Sequence, residues 1–349
     1  MLMTRMIALA AAAIAAPAGW AQEAGRPDIG GVWTNASLTK LTRPANVAKL
    51  VLTEAEARDV LSNTTVLGFT TPGTTPAPDF TAPEEGAPTK GGADFGVKAY
   101  DDFWISPGDR LAVVKGEIRS SYIVDPPSGQ IPYSEATLAA MAERRKGVNR
   151  YATGIGGNEG PEATNLAERC LIGFGNTGGP GMLSVLYNNT HQFVQTPDHV
   201  MILVEMAHDV RIIPTFASAA KARASHKPSA IKPWLGDSVS WYEDGALVVE
   251  TINVRPEQAQ GSAITLSPGG KVTERFTRVS DKEIFYAFTV EDAALYAQPW
   301  TAELSFYATD KQVYEYACHE GNYAMPGILA GARLQERQAA KARKSGKRG

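Results

Sequence analysis

From His191 onward, apolar and polar residues alternate along the chain in short runs separated by turn residues. A period of two puts successive side chains on opposite faces, so these runs read as half-buried strands. "HQFVQTPDHVMILVEM" is two strands across a Pro-Asp turn, and "DVRIIPT" is another. "SVSWYEDGALVVETINV" is two strands around Asp244-Gly245, a strong hairpin signal. "KVTERFTRVSDKEIFYAFTVED" is a hairpin turning at Ser280-Asp281, and "TAELSFYATDKQVYEYACHE" is a last one turning at Thr309-Asp310. Consecutive strands with tight turns and no helices between them argue for a mainly β fold: an antiparallel meander forming a lipocalin-like barrel or a strongly curved sheet. Val200, Ile202 and Val204 share one face of their strand, and Ile284, Tyr286, Phe288 and Val290 share one face of theirs. The opposite faces mix carboxylates with small or aromatic residues, as the inside of a ligand-binding barrel or the wet side of an open sheet would.

The first half reads differently. "IGGVWTN" is a first strand, and "LTEAEARDVLSN" a helix that Thr53 and Glu56 start as a capping box. "SSYIVDPPSGQIPY" is a strand running into a Pro-Pro turn, followed by the helix "SEATLAAMAERRK" with Ser134 as its cap. Residues 70–95 are rich in Gly, Pro and Thr and read as a long surface loop. The glycine-rich runs "GIGGNEGPE" and "GFGNTGGPG" match neither GxGxxG nor GxxxxGK[ST] and lie between no strand and helix, which argues against nucleotide binding. One β-rich domain over 22–336 results, with N-terminal decorating segments over 22–185 and the meander core over 186–325. Residues 337–349 form a basic flexible tail.

The 349 residues carry a net charge of only −3, so no global basic field is available to hold a nucleic acid. Arg5, the apolar run "MIALAAAAIAA" and the small residues Gly19 and Ala21 read as a signal peptide over 1–21. The run is too short to span a bilayer, and no later segment is apolar enough for stable membrane insertion. The expectation is a periplasmic or secreted protein. In an oxidising compartment the two cysteines, Cys170 and Cys318, pair with each other; two buried thiols are the alternative. Closing a loop of about 150 residues stabilises a fold by roughly 4–5 kcal/mol on the chain-entropy argument.

The five histidines offer no HxH, HxxxH or HExxH pair, so no metal site is expected, and no cofactor motif is present. Without a GxSxG elbow, and with Cys318 assigned to a cystine, no activated nucleophile is visible. Acid–base chemistry remains. Glu205, His208 and Arg211 lie within seven residues where two strands meet. Asp237, Glu291 and His319 fall near other strand ends, where a barrel mouth opens. A His beside a carboxylate, with an Arg to hold an anion, suffices for proton abstraction or elimination. Each also has a plain structural reading: Arg211 paired with a carboxylate, Asp237 capping a turn, Glu291 solvated. Trp234 and Trp300, each beside a proline, together with Glu320, Asn322 and Tyr323, are candidates to bind the substrate.

The stretches "SYIVDPPSGQIPY", "RCLIGFGNTGGPGML", "FVQTPDHVMILVEMAHDVRIIP", "WLGDSVSWYEDGALVVETIN", "VTERFTRV", "VEDAALYAQPW" and "YEYACHEGNYAMPGILAGAR" resemble a family of exported bacterial proteins to which no secure activity is attached. The resemblance spans about residues 118 to 336, and Glu274, Arg275 and Asp292 match its motifs beside the residues already named. Where the family carries an Asp-Gly-Arg-Pro-His run after "RIIP", this chain has "TFASAAKARASHKPSAI", so His226 is a candidate replacement. "GVW" is similar to the start of lipocalin-like barrels.

The functional expectation is an exported enzyme, an isomerase or lyase, doing metal-independent acid–base chemistry on a small aromatic or apolar molecule in a β-barrel cavity. The alternatives are a non-catalytic carrier of such a ligand and a structural protein of the envelope. Ionisable groups converging within about 4–6 Å in a cavity favour the enzyme, and an apolar cavity free of them favours the carrier.

Overall fold

The computed structural model describes residues 26–62, 65–66, 69–70, 106–146, 160–260, 262–320 and 322–346. The expected signal peptide, most of the 70–95 loop and the "GIGGNE" run lie outside them. Fifteen strands follow in chain order: β1 (Gly31–Thr34), β2 (Val51–Leu52), β3 (Thr65–Val66), β4 (Phe69–Thr70), β5 (Val113–Val114), β6 (Glu117–Arg119), β7 (Ile123–Asp125), β8 (Thr190–Gln195), β9 (His199–Val204), β10 (Val210–Phe216), β11 (Asp237–Glu243), β12 (Ala246–Ile252), β13 (Lys271–Ser280), β14 (Glu283–Glu291) and β15 (Trp300–Ala308).

Nine of these close into a barrel. The order runs β1-β8-β9-β10-β11-β12-β13-β14-β15, and β1 pairs with β15 to complete the circle. Because β1 is short, it covers only the Tyr307–Ala308 end of β15, and β7 pairs with the Thr301–Ala302 end. The expected turns at Pro197-Asp198, Asp244-Gly245 and Ser280-Asp281 all join antiparallel neighbours. One junction departs from a meander: β10 and β11 are parallel. A parallel pair needs a crossover, and the helix Ala219–Ala224 lies in that connection. Its Ala222 packs on the outer face of the barrel against Val239, Trp241 and Val248.

The inward rows are those that alternation assigns: Val200, Ile202 and Val204; Ile284, Tyr286, Phe288 and Val290; Ala302, Leu304 and Phe306 are all buried. Phe193, Phe276, Tyr286 and Phe306 meet with ring centroids 4.7–5.7 Å apart, and Phe288 stacks edge-on to Trp300 at 5.8 Å. Small barrels have interiors just wide enough for side chains to fill, and here aromatic rings fill this one. The ligand cavity expected inside the barrel is therefore replaced by a packed core.

Both capped helices form as expected. Thr53 and Glu56 exchange hydrogen bonds at the start of Glu54–Ser62, and the Ser134 hydroxyl accepts from the Thr137 N–H at the start of Glu135–Lys146. Two expectations at the C-terminus are corrected. Among the described residues, no strand follows the Thr309-Asp310 turn, because the free edge of β15 is already taken by β1 and β7. The basic tail is not a frayed coil through 337–346: a helix runs over Ala324–Gly346, built from strong helix formers, with the Asn322 carboxamide oxygen accepting from the Met325 N–H at its start.

Candidate functional site

Strand register brings one set of termini together. The ends of β9, β12 and β14 and the starts of β10, β11, β13 and β15 lie at the same end of the barrel. Glu205, His208, Arg211, Asp237 and Glu291 thus gather around one mouth, as their positions in the sequence suggested. What fills that mouth is the "GFGNTGGPGML" segment. The Gly181 N–H donates to Glu274 Oε1 at 3.2 Å and the Met182 N–H to the Tyr286 hydroxyl at 2.9 Å. Gln258 Nε2 donates to the Gly179 carbonyl at 3.0 Å, and the Gly173 N–H to Asp209 Oδ2 at 2.7 Å. The glycines serve close approach: a Cβ on Gly179, whose φ is +84°, would stand 2.8 Å from Arg211 Nη1, and one on Gly181 would collide with Ile264 and Phe288.

Beneath this plug lies a buried ionic network. Arg211 Nη1 and Nη2 clasp Glu274 at 3.0 and 2.5 Å, and Nη2 also reaches Ser238 and Thr251. Tyr286 donates to Glu274 Oε1 at 2.6 Å. Burial, with Glu274 beside it, holds the Tyr286 hydroxyl protonated far above the ordinary tyrosine range. Arg211 and Glu274 are both essentially inaccessible to solvent. The guanidinium expected to clamp a substrate anion meets a protein carboxylate instead.

The other expected catalytic groups are engaged separately. Glu205 accepts the backbone N–H groups of Thr190 and Tyr314 at 3.2 and 3.1 Å, and His208 Nε2 accepts that of Tyr316 at 2.9 Å. Together they fasten the segment leading to Cys318, which forms a disulfide with Cys170. Asp237 accepts from His226 Nδ1 at 2.9 Å and from the Lys227 N–H at 2.7 Å. That His–Asp pair has the geometry of a general base, but His226 Nε2 faces Glu250 at 3.5 Å, and Arg223 holds Glu250 at 3.0 Å. The cluster ties the β10–β11 crossover to the sheet. Glu291 pairs with Lys271 at 2.8 Å on the surface. His319 and Glu320 are exposed, and Tyr323 is 85% exposed. Asn322 Nδ2 donates to the Glu168 carbonyl at 2.7 Å. Trp234 is half-buried beside Leu166, Ile172 and Leu235 under the Arg255 guanidinium, whereas Trp300 is wholly within the barrel core. Among the described residues, no three His, Cys, Asp or Glu side chains are grouped to hold a metal ion.

A cavity of about 580 Å³ lies beside the plug, where the chain leaves β1 and enters β8. Its apolar lining comes from Leu38 and Leu41 after β1, from Phe174, Leu183, Val185, Leu186 and Tyr187 in and after the plug, and from Tyr122 and Met206. Its size is that of sites for drug-sized molecules. The Tyr122, Ser184 and Thr39 hydroxyls along it are already bonded. The Tyr122 hydroxyl pairs with the Ser184 hydroxyl at 3.2 Å, Ser184 reaches the Ser37 carbonyl at 3.4 Å, and the Thr39 hydroxyl donates to the Arg119 carbonyl at 2.9 Å. Burial raises the Tyr122 hydroxyl above the usual tyrosine range, so it stays neutral. No carboxylate or histidine is among the described lining residues. None of the residues expected from the sequence to act on or bind a substrate is among them either. Two short signals mark the site in hindsight, the apolar positions of "SLTKL" and the run "MLSVLY" that follows the glycines. A much smaller void of about 10 Å³ lies under the plug against Asp209. Burial pushes the Asp209 carboxyl up to about 6, against the pull of the Gly173 N–H and of His208.

Comparison with family models, with curated proteins and with solved structures gave no match. The functional reading rests on the geometry alone.

Proposed function

We propose that this protein is a non-catalytic carrier that holds a small apolar or aromatic molecule in the 580 Å³ cavity at the plugged end of the barrel. The observation that carries the reading is the chemistry of the lining: large aliphatic and aromatic side chains, hydroxyls that are already paired, and no histidine or carboxylate among the described residues. An acid–base enzyme needs a free base and acid facing its substrate. Here Glu205 and His208 hold backbone N–H groups, Arg211 holds Glu274, and Asp237 holds His226. Export by the N-terminal signal, followed by action in an oxidising compartment, fits the Cys170–Cys318 disulfide. No helix among the described residues is long and apolar enough to cross a membrane.

The test is a titration with N-phenyl-1-naphthylamine, a neutral fluorophore that brightens in apolar surroundings. Wild type should show one saturable site. Val185→Trp, which places an indole in the cavity from a half-buried position, should weaken binding at least tenfold while unfolding as cooperatively as wild type. Equal binding by the two proteins, or no saturable signal from wild type, would refute the carrier reading.

A further inference from the structure

We infer that the cavity selects an amphipathic monoanion, a molecule with an apolar body and one carboxylate, and that Lys40 supplies the cation that recognises the carboxylate. The inference rests on the carrier reading and sharpens it. Lys40 is the one charged side chain among the sixteen described residues that line the cavity. It is exposed, which places it at the rim rather than in the depths. Some surface cations are paired with carboxylates: Lys49 with Glu56, Lys271 with Glu291 and Arg275 with Glu243. The Lys40 ammonium has no such partner among the described residues. Its backbone is fixed, since the Lys40 carbonyl accepts the Tyr122 N–H at 3.0 Å and Lys40 bridges to Ser121. The ammonium is thus tethered at the entrance by a stem that can itself cover apolar ligand surface.

The geometry divides the work. The apolar walls take the body of the ligand and are indifferent to its head. Inside, the Tyr122, Ser184 and Thr39 hydroxyls are all engaged, so a charged head placed there would be desolvated without compensation. At the rim it keeps its water and gains the ammonium.

The test displaces N-phenyl-1-naphthylamine from the full-length protein with decanoate and with decan-1-ol, which share a chain and differ in the head. Wild type should prefer decanoate about fivefold, the scale of one solvent-exposed ion pair. Lys40→Gln should erase the preference by weakening decanoate and leaving decan-1-ol unchanged. Lys40→Glu should invert it, and added salt should shrink it in wild type. Equal displacement by the two ligands in wild type, or a preference that survives Lys40→Gln, would overturn the role of Lys40 while the carrier reading stands. Failure of both ligands to displace the probe would overturn the anion inference together with the reading beneath it.

Discussion

Arg211 meets its anion inside the protein, and that single contact redirects the reading of the whole mouth. The sequence shows the type of a residue and the face it occupies, but not which distant side chain reaches it first. Arg211 and Glu274 lie on β10 and β13, and their pairing depends on barrel closure, which no local pattern encodes. Asp209 gives the sharpest residue-scale prediction. Its folded pKa of about 6 lies above the ordinary 3.8. The folded state therefore holds the proton more tightly, and stability falls as pH rises from about 4 to about 6, then stays lowered. Asp209→Asn keeps an oxygen to accept from the Gly173 N–H and removes the titration. Urea unfolding should show the variant more stable than wild type by on the order of 1–3 kcal/mol at pH 8, with the difference vanishing near pH 4. A constant difference across that range would contradict the assignment. His191, buried against Phe306, acts with the other sign. Burial lowers its pKa from 6.5 to about 4, so its neutral form is fully accommodated above pH 6.5 and stability is lost as pH falls from there toward 4. Because wild type and Asp209→Asn both carry it, it drops out of their comparison.

At the scale of elements, strands and capped helices were legible because their signals are local. Period-two alternation, Asp244-Gly245 and the Thr53–Glu56 box need nothing from elsewhere in the chain. The plug was not legible: "GFGNTGGPGML" has no periodicity, and its glycines make sense only beside Arg211, Ile264 and Phe288. The missing strand after Thr309 failed for a related reason. Its tyrosine alternation resembles a strand, yet the N–H groups of Tyr314 and Tyr316 go to Glu205 and His208 rather than to a neighbouring ladder. The paired cysteines hold this latch against the segment before the plug, across a sequence separation of 148 residues. The double variant Cys170→Ser/Cys318→Ser should be less stable by up to about 5 kcal/mol. Amide exchange should accelerate first at Tyr314 and Tyr316, ahead of the barrel strands. Uniform acceleration over the whole barrel would mean that the disulfide secures the entire fold and not this latch.

At the scale of the molecule, a nine-stranded barrel needs no lumen to bind a ligand. Rings from β8, β13, β14 and β15 fill the interior. The space for a small molecule arises instead where the residues after β1, the plug and the entry to β8 fail to close on one another. Barrel formation could be argued from consecutive hairpins. The cavity could not, since its walls come from segments remote in sequence and none forms an amphipathic element. The most direct test is methyl NMR during a titration with a neutral apolar ligand. Saturable shifts are expected at the methyls of Leu38, Leu183, Val185 and Met206, with those of Val249, Ile284 and Leu304 unmoved. Shifts centred on the barrel-interior methyls, or none at the four cavity residues, would contradict binding in this cavity.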